Sequence, residues 1–252
     1  MPRPAAVYPA FRRGLEQIGP RTRRLLDAAT SPLGSILRAD RAGRRIALTF
    51  DDGPDPDVTP RLLAALDDAG AQATFFVLVS RVRRFPQVAA SIAESGHEIA
   101  LHGMDHRRLT RLPLAEARRS ITNAQAELQE RLATQVRWFR PPYGAQTLQI
   151  WQHVRRQGME TVLWGPSLAD IEFVELAERR RRAHAEPGDI VLAHDGIADR
   201  RYGAEDATPP SLDRVAWTSD RVREYQRGGL TVGTVGALLD AGAPVKGARF
   251  TS

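Results

Sequence analysis

Ile46-Ala47-Leu48-Thr49-Phe50-Asp51-Asp52-Gly53-Pro54-Asp55 joins a short apolar run to an acidic turn. An apolar run of this length, bounded by Gly and Pro, predicts a buried strand that stops abruptly. Asp51 and Asp52 then sit side by side where a sheet meets solvent. Two like charges in such a place cost free energy unless a cation or a shared proton compensates them. The turn is therefore either simply solvated, or it carries a metal whose other ligands lie elsewhere in the chain.

His102 and His106 offer those ligands. They follow a second apolar run, Glu98-Ile99-Ala100-Leu101, and are four residues apart. On a helical turn, positions i and i+4 share a face, so both imidazoles would reach one ion. Zinc accepts two His and one carboxylate and keeps a position open in catalytic sites. Both motifs end predicted strands, and in a parallel α/β fold the C-terminal strand ends share one rim. Three further runs end on the same rim. Trp138-Phe139-Arg140-Pro141-Pro142-Tyr143-Gly144 brings a guanidinium and an irregular backbone. Thr161-Val162-Leu163-Trp164 leads to Asp170. Asp189-Ile190-Val191-Leu192-Ala193-His194-Asp195-Gly196 ends on a third His. Each alone reads as a surface Arg, a cap or a turn. As a set, they describe a catalytic rim.

These motifs, in this order, resemble the polysaccharide deacetylases of carbohydrate esterase family 4, the NodB-homology group. The likeness runs from Thr49-Phe50-Asp51-Asp52-Gly53-Pro54 through His102-Gly103-Met104-Asp105-His106, Arg140-Pro141-Pro142-Tyr143 and the stretch to Asp170, to Leu192-Ala193-His194. It continues through Gly229-Leu230-Thr231-Val232 to about Leu239. The resemblance implies a distorted, TIM-like (β/α)7 barrel and hydrolysis of an N-acetyl group from an amino sugar. By motif position, Asp52, His102 and His106 would hold Zn²⁺, with Co²⁺, Ni²⁺ and Mn²⁺ open as substitutes. Asp51 would be the general base, with Arg140 beside it as counter-charge. The backbone N–H of Tyr143 would face the oxyanion, and Leu192 would line the acetyl pocket. His194, oriented by Asp170, would protonate the leaving nitrogen.

The chain departs from the family pattern at three places. Gly103 stands where Ser or Thr usually follows the first His, removing a hydroxyl that braces the loop. Ser167 stands where the fourth motif usually has its first Asp, and Ile171 where it usually has Trp. None of these touches the expected metal triad or base. Three other readings stay open: a degraded relative that binds a glycan without turning it over, an O-acetyl esterase on the same fold, and a metal-independent hydrolase of cyclic amides. The intact triad, base and His194 argue against the first, and the His pair against the last.

The 252 residues suffice for one large domain, and the composition, 42% hydrophobic and 26% charged, is that of an ordinary globular protein. With no Cys there is neither a disulfide nor a thiolate metal site. No apolar run is long enough to span a membrane. The N-terminus, Met1-Pro2-Arg3-Pro4-Ala5-Ala6-Val7-Tyr8, lacks the apolar core of a signal peptide, so a cytoplasmic location is expected, with a glycan precursor or oligosaccharide as substrate. The net charge of +6 concentrates at the N-terminus, where residues 1–45 hold ten Arg against Glu16, Asp27 and Asp40. That arm could rest on an anionic membrane surface. Nucleic-acid binding is not expected, since no recognition module is visible.

Three segments are expected: a basic, partly helical arm over 1–43, the catalytic domain over 44–242 and a tail over 243–252. In the arm, Leu15, Ile18, Leu25 and Leu26 mark a helix over 12–29. Strands are predicted near 45–50, 72–79, 97–101, 136–140, 160–164, 189–193 and 230–234. Helices are predicted near 58–69, 85–95, 114–133, 147–157, 172–185, 211–227 and 235–241. This alternation argues a parallel sheet with helices outside, without separating a barrel from an open sheet. Residues 196–210 read as a long loop beside the rim, of a length that often walls a site.

Overall fold

The computed structural model describes residues 34–205 and 212–251. The helix expected over 12–29 lies outside them, and so do most of the basic arm and the end of the 196–210 loop.

Among the described residues, seven parallel strands form the main sheet: β2 Arg45–Asp51, β3 Thr74–Leu78, β4 Glu98–Gly103, β5 Trp138–Phe139, β6 Glu160–Thr161, β7 Ile190–His194 and β8 Thr231–Gly233. Their order is β6-β5-β4-β3-β2-β7, with β8 paired to the start of β2. Strands β3 and β7 are buried along their whole length, and β2 from Ile46 onward. Their continuous apolar character follows, because both faces of a parallel sheet are covered. Phe50 and Phe75 stack at 4.8 Å across β2 and β3.

The helices form where apolar spacing and end signals agree. Helix α1 Thr59–Asp68 begins on Pro60, and α3 Pro86–Glu94 on Pro86, a residue suited to the first helical turn. A short helix between them, α2 Val79–Arg84, takes over directly from β3, where the sequence predicted strand up to 79. Helix α4 Leu114–Leu132 buries Ala117, Ile121, Ala124 and Leu128, the expected 3–4 stripe. Thr147, Asp213 and Thr234 cap α5 Leu148–Arg156, α7 Arg214–Arg227 and α8 Val235–Ala241 through side-chain oxygens. Between them, α6 Leu176–Arg182 is shorter than the helix expected over 172–185. Residues 171–175 are instead a loop.

The sheet curls into a distorted barrel whose seam lies between β6 and β7. Irregular backbone joins the two sides there. Gly165 N–H donates to the Ile190 carbonyl at 3.0 Å, and Leu168 N–H to the Leu192 carbonyl at 2.8 Å. Two strands that the sequence reading did not contain also meet the seam. Strand β1 Ser35–Asp40 and β9 Ala243–Gly247 pair antiparallel, from Ser35 opposite Gly247 to Asp40 opposite Ala243. β1 bridges Val162 on one side of the seam and Asp189 on the other. Residues read as arm and tail are thus a ribbon packed into the barrel wall. Their mixed, short sequences gave no period to read, and their partners lie at opposite ends of the chain.

Candidate active site

The strand ends deliver their polar residues to one place because the register aligns them. Asp51, the last residue of β2, pairs with Phe76 on one side and His194 on the other. Asp52 leaves the strand with a left-handed backbone, φ 74°. A side chain on the following Gly53 would lie 1.9 Å from the Asp195 carboxylate, so only Gly fits that turn.

Asp52, His102 and His106 converge. Asp52 Oδ1 lies 3.4 Å from His102 Nε2 and 3.3 Å from His106 Nε2. All three ligand atoms fall within 4.8 Å of one another. That oxygen is buried and accepts no hydrogen bond from the described residues. Atoms held tetrahedrally around zinc at its usual bond lengths stand about 3.3 Å apart, so the cradle fits a divalent metal. His102 Nδ1 donates to the Arg140 carbonyl at 2.9 Å, which leaves Nε2 as the free lone pair. Burial holds His106 below its ordinary pKa, favouring the neutral ring a metal requires. Burial also pushes the Asp52 carboxyl up, but His106 and His102 outweigh it and hold the group below the carboxylate range.

The HxxxH spacing does not act through a helix. His102 belongs to β4 and His106 to the bend after it. Gly103 makes the turn at φ 122°, where an added Cβ would crowd the Asp105 carbonyl at 3.0 Å. The Ser or Thr common at this place in the family would be strained in this backbone. Glycine at 103 is therefore required by the backbone of this loop as well as leaving it without a hydroxyl.

Beside the triad, Arg140 is fully buried and donates to Asp51 Oδ1 at 2.7 Å and to Thr49 Oγ1 at 2.8 Å. Its Nε bonds the Val162 carbonyl at 3.1 Å, and its charge lies over the Phe76 ring at 4.0 Å. The other carboxylate oxygen of Asp51, Oδ2, points toward His102 Nε2 at 3.9 Å. On the next strand end, His194 Nδ1 lies 2.9 Å from Asp170 Oδ1, and the His194 backbone N–H donates to Asp170 Oδ2 at 2.7 Å. Burial opposes charge on this ring, yet Asp170, with help from Asp52 and Asp51, raises it to about 9. Leu192, two residues before His194, is buried, and Tyr143 occupies the turn after β5 at φ 61°.

All nine residues expected at the site thus lie on this rim. In the divergent fourth motif, Ser167 Oγ accepts the Ala169 N–H at 3.1 Å and shapes the turn before Asp170. Ile171 is half-buried, and Phe173 is the exposed aromatic of that loop. Residues behind the rim were not anticipated. Thr59 Oγ1 accepts the Asp55 N–H at 2.8 Å and donates to Asp195 at 2.7 Å, tying the acidic turn to the end of β7. Burial raises the Asp195 carboxyl to about 7, against the Thr59 hydrogen bond. Arg214 donates to the carbonyls of His194 and Gly196. The adjacency of Asp195 to His194 was the one available signal; Thr59 and Arg214 carried none.

A buried Asp-His-His cradle, flanked by an Arg-bound carboxylate and an Asp-bound His on barrel strand ends, defines a metal-ready hydrolase site. Residues 38–162 match the family model described as Polysaccharide deacetylase. The chain is 35% identical over 169 residues to the chitooligosaccharide deacetylase of Azorhizobium caulinodans, covering 66% of this chain and 80% of that one. It is 34% identical over 157 residues to the peptidoglycan-N-acetylglucosamine deacetylase PgdA of Listeria monocytogenes. It covers 62% of this chain there but spans only 33% of that longer relative. Among solved structures it resembles the peptidoglycan deacetylase PdaC of Bacillus subtilis, with a TM-score of 0.66 and 26% identity, covering 80% of this chain and 93% of that one. The chain belongs to the polysaccharide deacetylase family, the NodB-homology hydrolases of carbohydrate esterase family 4.

Proposed function

We propose that the protein is a metal-dependent deacetylase that removes N-acetyl groups from an amino-sugar glycan of chitooligosaccharide or peptidoglycan type. The observation that carries this reading is the orphaned Asp52 Oδ1 facing two imidazole nitrogens, with Asp51 on one side and the Asp170–His194 pair on the next strand end. The names of the relatives supply the substrate class.

Asp52, His102 and His106 would hold the metal, with Zn²⁺ the best match to a His₂Asp set. When bound, such an ion polarises an acetyl carbonyl and lowers the pKa of water. Asp51 takes the proton of the attacking water at Oδ2, since Arg140 occupies Oδ1. The water oxygen bonds to the acetyl carbon, and the Tyr143 N–H receives the developing negative charge. His194, held by Asp170 at Nδ1, delivers a proton from Nε2 to the sugar nitrogen. The C–N bond then breaks, leaving a free amine and acetate. Leu192 closes the space around the methyl group.

Acetate release from N-acetylated chito-oligosaccharides and peptidoglycan fragments tests this, after chelation and after zinc is restored. Release should require the metal. Asp51→Asn should lower it by about 10²–10⁴-fold, the usual contribution of a general base, while zinc content stays stoichiometric. Retained turnover in that variant would refute the base. Release from acetylated xylan but from no N-acetylated sugar would move the reading to an esterase.

A further inference from the structure

Tyr143 adopts φ 61° and ψ 10°, a backbone that a bulky residue keeps only where its surroundings enforce it. Here its ring is held on three sides. The His106 ring meets it edge-on at 4.4 Å between centroids. The Arg108 guanidinium lies over it at 4.1 Å. Its hydroxyl accepts the Glu205 N–H at 3.0 Å. Arg108 and Arg111 in turn both pair with the Glu205 carboxylate. Glu205 lies on the loop that follows β7, and the same loop reaches two of the expected metal ligands. Ala198 N–H donates to Asp52 Oδ2 at 3.3 Å, and His106 N–H donates to the Tyr202 carbonyl at 2.6 Å.

We propose that Arg108 and Glu205 are positioning residues. With the Tyr143 ring they form a clamp that keeps the Tyr143 backbone N–H aimed at the reacting acetyl oxygen. The clamp also ties this donor to the loop that carries contacts to Asp52 and His106. The inference rests on the reading of Tyr143 as oxyanion donor. A planar guanidinium can stack on the ring and pair with a carboxylate at once, which a lysine ammonium cannot. A donor that acts on the developing oxyanion serves the transition state, so loosening it lowers kcat and leaves KM in place.

The test uses the full chain with zinc added, as Arg108→Ala, Arg108→Lys, Tyr143→Phe and the Arg108→Ala/Tyr143→Phe double variant. Each single variant should lower kcat about five- to twentyfold, with KM within about twofold. The double variant should lose little more than the worse single one, because both break one unit. Arg108→Lys should behave as Arg108→Ala. Independently of turnover, the NMR order parameter of the Tyr143 amide should fall from about 0.85 toward 0.6 in the single variants. An unchanged order parameter, multiplicative losses in the double variant, or full recovery in Arg108→Lys would overturn the clamp. If the parent chain releases no acetate from any substrate, the reaction reading fails, and the order parameter still decides the clamp.

Discussion

Asp170 and His194 show how one pair of residues sets the working pH. Asp170 is fully buried and gives both carboxylate oxygens to His194, one to the ring and one to the backbone. The ring is thereby raised to about 9 against its own burial. A group whose folded pKa is raised contributes stability that is complete below about 6.5 and is lost as pH rises through about 9. The protonated ring is also the proposed acid, so deacetylation should fall on the alkaline side through the same range. In Asp170→Asn the main stabilising charge is gone, and that alkaline limb should move down by at least about one unit. A kcat/KM profile between pH 5 and 10 reads the shift; an unmoved limb would show that another group is the acid. At this scale the sequence was informative because the residues expected at the site lie at or just beyond strand ends and their motifs keep their order. Arg108 and Glu205 were illegible for the opposite reason. They are common residues 97 positions apart, and only the folded loop brings them together.

Elements were legible where a single stretch carried its own signal. The stripe of α4 and the buried runs of β2 and β7 are such cases. The HxxxH pair converges without the helical turn its spacing predicts: a strand and a bend replace that turn, and Gly103 provides the bend. The β1–β9 ribbon had no period at all. It nonetheless anchors the wall: Ile36 is buried against Val162, Gln146 donates to Ser35 Oγ, and Thr251 N–H bonds the Gln146 carbonyl. Removing residues 243–252 should therefore expose the Ile36 cluster and lower the melting temperature. The loss of even about 2 kcal/mol corresponds to roughly 4–8 °C in a domain of this size. Calorimetry would show it, and an unshifted transition would mean that the ribbon is an appendage.

Across the whole molecule, the alternation of strands and helices predicts a parallel sheet with helices outside; the barrel came from the family resemblance, and neither showed how it closes. The seam is crossed by irregular backbone and by a strand from the start of the chain, neither of which leaves a pattern in sequence. The two regions that build the metal cradle, the end of β2 and the end of β4, are separated by β3 in the sheet. An ion there would link them and relieve the buried Asp52 oxygen. If the cradle binds zinc in the folded chain alone, as proposed, zinc at a hundredfold excess over its dissociation constant should add about 2.7 kcal/mol of stability. Chelation should lower the melting temperature by several degrees, and zinc should restore it. A transition indifferent to both would mean that the cradle binds no metal in solution.

Because Ser35 lies opposite Gly247 in the ribbon, the first and last strands of the described residues begin and end at adjacent points. Such a module can be spliced into a host polypeptide like a cassette, since insertion requires only one gap of a few ångströms to be bridged.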